Sequence, residues 1–282
     1  MFLKLFDSKV QPILSYGSEL WGVNIIEGVE SVHTRALKRF LNVSVYSSNS
    51  IVYGETGRYP LSINHKINSL RYWLRLQRLP NTRINKQAYD MLVNLAEQGK
   101  SNWASHIRDL LFQNGFGIAW ISGQVGNEKM FLNMVKERLK DCYIQGWSSK
   151  ILNSEHLNVY SGFKSIFMPE LYLYNSYLHK SLRNILTKFR CGVSEINSHR
   201  HKFSKNVNIM HCPLCDYCRE SEIHFLLICT YYEDLRVFYL PQNVLSSRNL
   251  TTMNMLLSSN SIMLAKCLQS MFIRRRELMP NQ

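Results

Sequence analysis

The segment LSINHKINSLRYWLRLQRL (residues 61–79) writes a helix in its periodicity. At 100° per residue, Asn64, Asn68, Arg71, Arg75 and Arg78 fall in one narrow polar stripe. Ile63, Ile67, Leu70 and Leu74 lie on one side of it, and Tyr72, Leu76 and Leu79 on the other, so the arginines run between two apolar faces. Two readings fit this stripe equally. Three arginines one turn apart can track phosphates, or they form a solvated face whose stems lie over apolar neighbours.

The same period extends to both sides. Residues 27–42 carry Val29, Val32, Ala36, Leu37, Phe40 and Leu41 on one stripe, with His33, Arg35, Lys38 and Arg39 elsewhere. Residues 1–22 place Leu3, Phe6, Val10, Ile13 and Leu14 at helical spacing, and Pro12 predicts a kink. Downstream, helices are predicted over 86–98, 102–114 and 128–147. Pro80 and Gly99 separate them, and the glycine-rich stretch 115–126 is the best linker candidate. Only 13 glycines and 7 prolines punctuate 282 residues, which favours long helices and a mainly α fold.

A hydrophobic fraction of 45% excludes a disordered tail and supports one large or two modest domains. No run approaches the roughly 18 apolar residues of a membrane helix, and Lys4, Asp7 and Lys9 break the start before a signal-peptide core could form. No membrane partner is therefore expected, and the expected location is nuclear or cytoplasmic. The net charge of +14 points to polyanions, with solubility as the plainer alternative. Within residues 177–210 the charged side chains are Lys180, Arg183, Lys188, Arg190, Arg200, Lys202 and Lys205 against Glu195 alone. A solvated face explains scattered charge better than a concentrated block, so phosphate contact is favoured here.

The sequence CPLC followed by HFLLIC gives Cys212-x2-Cys215-x8-His224-x4-Cys229. Three thiolates and an imidazole are the donor set of a closed, structural zinc site, with no open position for catalysis. Five steps of an ideal helix turn about 500°, so His224 or Cys229 must sit at a helix end for both to reach one ion. Cys218 and His211 are spare ligands nearby, and a set of reduced, packed cysteines is the alternative.

Through these residues the chain resembles the carboxy-terminal part of the endonuclease and reverse transcriptase polyprotein of LINE-type, jockey-like retrotransposons without long terminal repeats. The matching stretches are LFDSKVQPILSYGSELWG (5–22), VYGETGRYPLSI (52–63), KFRCG (188–192), CPLC (212–215), HFLLIC (224–229) and YYEDLR (231–236), in the family's order. The resemblance implies thumb-like helices over 1–45, a helical connector over 46–126, a helical bridge over 127–176 and a basic zinc-knuckle domain over 177–282. It maps the family's zinc ligands onto Cys212, Cys215, His224 and Cys229. Thr230 stands where the family usually has proline, and Cys218 is additional.

Two-metal phosphoryl transfer needs paired carboxylates around ions about 4 Å apart. The aspartates here are Asp7, Asp90, Asp109, Asp141, Asp216 and Asp234, and no two are neighbours. The polymerase palm and the endonuclease are expected to be missing, and no activity is expected from this chain alone. The leading expectation is a nucleic-acid-binding remnant that contacts RNA or DNA through Arg71, Arg75, Arg78, Lys188, Arg190, Arg200, Lys202 and Lys205. The alternatives are a non-catalytic piece of a working polymerase, with the remainder as partner, and a helical scaffold for protein interaction.

Overall fold

Helices form where the periodicity puts them, with ends set by local chemistry. A computed structural model describes residues 2–201, 211–215, 219–259 and 261–279. Among these residues the chain is helical and holds no strand. Lys202, Lys205 and Cys218 lie outside the described residues. The chain divides into two compact units, one of residues 1–36 and 59–147, the other of 37–58 and 148–282. These boundaries cut across the four segments that the sequence suggests.

In the first unit the helix Leu61–Gln77 buries both flanks of its polar stripe. Leu70 and Trp73 are fully buried, and Ile63, Ile67, Leu74 and Leu76 nearly so. They share a core with Ile107 and Leu111 of the helix Trp103–Gln113 and with Val135 and Leu139 of the helix Glu128–Leu152. Each fully buried aliphatic side chain contributes about 1.5–3 kcal/mol. Tyr89 satisfies the buried polar edge: its hydroxyl accepts from Trp73 Nε1 at 3.0 Å and from Gln77 Nε2 at 2.7 Å. Asn102 starts the helix Trp103–Gln113 with a reciprocal cap, its side chain accepting from Ser105 N–H while Ser105 Oγ accepts from Asn102 N–H.

Two local expectations change. The stretch 115–126 is not a linker. It folds around the short helix Gly117–Ser122, with Ala119 buried, Trp120 stacked on Trp73 at 6.1 Å and Phe116 edge-on to Phe131 at 5.7 Å. Its glycines supply the turns instead, with φ of +86° at Gly115, +63° at Gly123 and +64° at Gly126. The Pro12 kink takes the form of a wide turn over Phe6–Val10, where Gln11 N–H bonds to Phe6 C=O five residues back. A widened turn of this type is a recognised source of helix bending.

The second unit joins the helix Asn49–Thr56, buried nearly throughout, to the carboxy-terminal helices. Glu55 of that helix pairs with Arg190 at the end of the helix Lys180–Arg190. At Gly57, φ is +61° and a Cβ atom would lie 2.3 Å from the Pro169 ring, so no other residue fits the turn. The helix Ile262–Leu278 inserts Leu264, Leu268, Met271 and Phe272 into this unit's core. It packs against the helices Lys180–Arg190 and Glu233–Tyr239.

Candidate metal centre and cationic residues

Cys212, Cys215, His224 and Cys229 converge. One ligand atom from each lies within 4.8 Å of all the others. Cys212 Sγ and Cys229 Sγ are 3.9 Å apart, and Cys215 Sγ and His224 Nε2 are 3.3 Å apart. A tetrahedral ion with sulfur at about 2.3 Å and imidazole nitrogen at about 2.0–2.1 Å sets ligand edges of about 3.5–3.8 Å. The group therefore fits a metal ion. Cys212, His224 and Cys229 are buried and Cys215 is half-buried, so such an ion is reached from one side.

The spacing problem between His224 and Cys229 is solved by the backbone. Residues His224–Ile228 form a single π-helical turn, closed by Cys229 N–H donating to His224 C=O at 2.8 Å. This five-residue turn brings position i+5 over position i, as an α-helix does not. Cys229 leaves the helix with ψ of 123°, so it sits at the helix end that the spacing demands.

The Cys212 thiol is pulled down to about 3, chiefly by the hydrogen bond with Cys229, with His224 and the N–H groups of Leu214 and Cys215 adding to it and burial opposing. The Cys229 thiol is pushed up by the same hydrogen bond and by burial. One proton shared between two close thiols gives these opposite directions. Backbone donors to a thiol sulfur favour the thiolate, the form that binds a metal.

A second layer of buried polar groups holds the ligand-bearing turns. Arg236 is fully buried, and its guanidinium donates to Leu226 C=O at 3.0 Å and to Cys229 C=O. It thus satisfies carbonyls that a helix end leaves open. Glu233 accepts from Arg236 at 2.6 Å. Glu220 is buried, pairs with Arg275 and accepts Asn197 N–H at 2.7 Å. Asn197 Nδ2 in turn donates to His211 C=O at 2.8 Å, one residue before the first ligand. Ser194 N–H donates to His199 Nδ1 at 3.1 Å, so the ring's proton sits on Nε2, 2.9 Å from Glu222 Oε1. Phe225, inside the π turn, stacks on Phe272 at 4.8 Å and meets Tyr232 edge-on at 5.0 Å.

The cationic residues divide by environment. In the first unit Arg71 and Arg75 are exposed, Arg71 donating to Asn68 Oδ1 at 2.9 Å. Arg78 is exposed and pairs with Glu128 at 3.2 Å. In the second unit Arg200 is exposed and Lys188 half-buried. Arg190 differs from the expected surface cation. It is buried, paired with Glu55 at 2.9 and 3.0 Å and with Glu170 at 3.1 Å, and its guanidinium lies over the Phe163 ring at 4.7 Å. Its charge is spent inside the protein and none of it reaches solvent.

Sequence reasoning passed over Glu55, Glu220, Arg236 and Arg275, which are buried ions. The available signal was a charge inside an apolar run, as with Glu55 in IVYGET and Arg275 in MFIRRREL. No helix among the described residues is long and apolar enough to cross a membrane. Comparison with protein-family models, with curated proteins and with solved structures finds no match to this chain.

Proposed function

We propose that the chain is a nucleic-acid-binding module whose carboxy-terminal unit is organised by a structural zinc ion, equivalent to the thumb, connector and zinc-knuckle part of a LINE-type reverse transcriptase. One pairing supports the reading: a Cys3His ligand group directly follows a segment in which basic residues outnumber acidic ones seven to one. Thiolate-rich, four-ligand sites suit zinc, and a set of four protein ligands leaves no position for substrate. Bound there by Cys212, Cys215, His224 and Cys229, zinc supplies folding free energy to the turns around it. The chain's own residues do the rest. Lys188 and Arg200, followed in sequence by Lys202 and Lys205, offer phosphate contacts, and Arg71 and Arg75 offer more on the first unit. Arg190 holds the helix that carries Lys188 in place.

The test is fluorescence anisotropy of the zinc-loaded full chain with a labelled structured RNA and a matched DNA, with and without chelator, across salt concentrations. Binding should fall linearly in log affinity against log salt and weaken on chelation. Salt-independent binding, or none, overturns the reading and favours a helical scaffold for protein partners.

A further inference from the structure

The first unit holds a polar cleft that the zinc site and the arginine stripe leave unused. Its volume is about 210 Å³, and Asn24, Lys66, His106, Asp109 and Gln113 line it together with Val23 and Leu110. Whole-ligand pockets run to about 300–1,000 Å³, so this one takes a single small unit, free or within a longer chain.

Lys66 decides the sign of that unit. It is half-buried and has no ion-pair partner among the described residues. Burial depresses its ammonium, and no carboxylate opposes the shift. A cation kept away from water without a counter-ion is costly unless an anion joins it. Neutral donors stand beside it. Asn24 Nδ2 approaches His106 Nδ1 at 3.4 Å while His106 Nε2 lies 3.0 Å from Ser101 Oγ, which fixes the ring and leaves the second amide hydrogen of Asn24 available. Gln113 adds an amide.

Asp109 is the exception on this wall. Its Oδ1 pairs with the adjacent Arg108 at 3.1 Å, and its carboxylate has acceptor capacity beyond that bond. An anion alone gains nothing from it, whereas an anion that carries hydroxyls does.

We propose that this cleft binds a ribose-phosphate unit, with Lys66 on the phosphate, Asn24 and Gln113 as neutral donors to it, and Asp109 accepting a ribose hydroxyl. The shared chemistry has two sources, a free ribonucleotide or a residue of an RNA strand. The RNA source rests on the function proposed above, whereas the site itself does not. A contact to the 2′-hydroxyl distinguishes ribose from deoxyribose at one position.

The experiment titrates the zinc-loaded full chain with adenosine 5′-monophosphate, its 2′-deoxy analogue, and matched single-stranded RNA and DNA. Amide shifts at residues 22–24 and 106–113 report binding, for the wild type, Lys66→Ala, Lys66→Arg and Asp109→Asn. Loss of one charged hydrogen bond corresponds to about tenfold in affinity. The monophosphate should therefore bind about tenfold more weakly to Lys66→Ala, with Lys66→Arg largely restoring it. The ribose preference should disappear in Asp109→Asn. No shift at these residues, or equal affinity in wild type and Lys66→Ala, overturns the phosphate site. Equal binding of ribose and deoxyribose forms by the wild type overturns the Asp109 assignment and with it the ribose-phosphate proposal. A chain that binds the monophosphate here but binds neither RNA nor DNA refutes the function proposed above and leaves the cleft standing.

Discussion

Glu55 and Arg190, 135 residues apart in sequence, meet in a fully buried two-bond ion pair, Arg190 Nε to Glu55 Oε2 at 3.0 Å and Arg190 Nη2 to Glu55 Oε1 at 2.9 Å. Tyr172 donates to the same carboxylate at 2.6 Å, and Glu170 with Lys164 completes a charge-balanced cluster. Two stretches far apart in sequence, VYGETG (52–57) and KFRCG (188–192), are therefore joined through a buried ion pair.

Removing one partner strands the other charge. Glu55→Gln and Arg190→Met are each expected to destabilise the second unit by about 3–5 kcal/mol in denaturant titration. The double variant should cost clearly less than the sum of the two, and additive losses would refute a direct coupling.

Cys212→Ser and Cys229→Ser are expected to lose metal and to unfold the turns around residues 211–229, since a structural zinc contributes on the order of 10 kcal/mol of folding free energy. Metal content by atomic spectroscopy, read with circular dichroism, checks both. Full stoichiometry in both variants would reject these ligands.

Arg236→Met keeps most of the side-chain volume but frees the carbonyls of Leu226 and Cys229. Residues that hold ligand-bearing turns typically matter about 10–100-fold in metal affinity. A chelator competition should show a loss in that range while the four ligands remain intact.

Arg71→Ala with Arg75→Ala should reduce the slope of log affinity against log salt by about two, since each phosphate contact contributes about 0.9. Adding Arg78→Ala should change it little, because Arg78 already pairs with Glu128. A slope that follows Arg78 and ignores the other two would reverse this assignment.

Acid should weaken the first unit in two windows. His65 is depressed by burial, with Glu30 opposing, so the unfolded chain takes up the proton first and stability falls as pH drops below the ordinary histidine value of 6.5. Glu30 is lowered although burial opposes it, because His33 and the N–H groups of Ser62 and Leu61 bond to its carboxylate. Its contribution is present above the ordinary value of 4.5 and disappears as pH falls through the lower folded value. Thermal melts of Glu30→Gln against pH should lack the second decline and keep the first.

The helices were legible because their apolar residues recur at a local period, and the convergence of the Cys3His group because Cys-x2-Cys and His-x4-Cys lie within 18 positions of sequence. Even the difficulty with His224 and Cys229 was visible, although its solution, a π turn, depends on backbone hydrogen bonding that composition does not encode. The stretch 115–126 misled because its glycines dominate a local reading, whereas Trp120 and Phe116 are held by Trp73 and Phe131. Arg190 misled for the same reason. It looks like a surface cation among its neighbours, and only Glu55, distant in sequence, makes it internal.

The Glu55–Arg190 pair also governs how this protein can be dissected. A fragment beginning at residue 148 contains all four residues of the candidate metal centre and the basic segment, yet it lacks residues 37–58, which belong to the same compact unit. Such a piece carries a guanidinium shaped for burial with no carboxylate to meet it, and loses the Glu170 N–H bond to Glu55 C=O as well. An autonomous version of this unit must be built discontinuously, by splicing residues 37–58 onto residues 148–282 through an engineered connection or by supplying the two segments as separate chains.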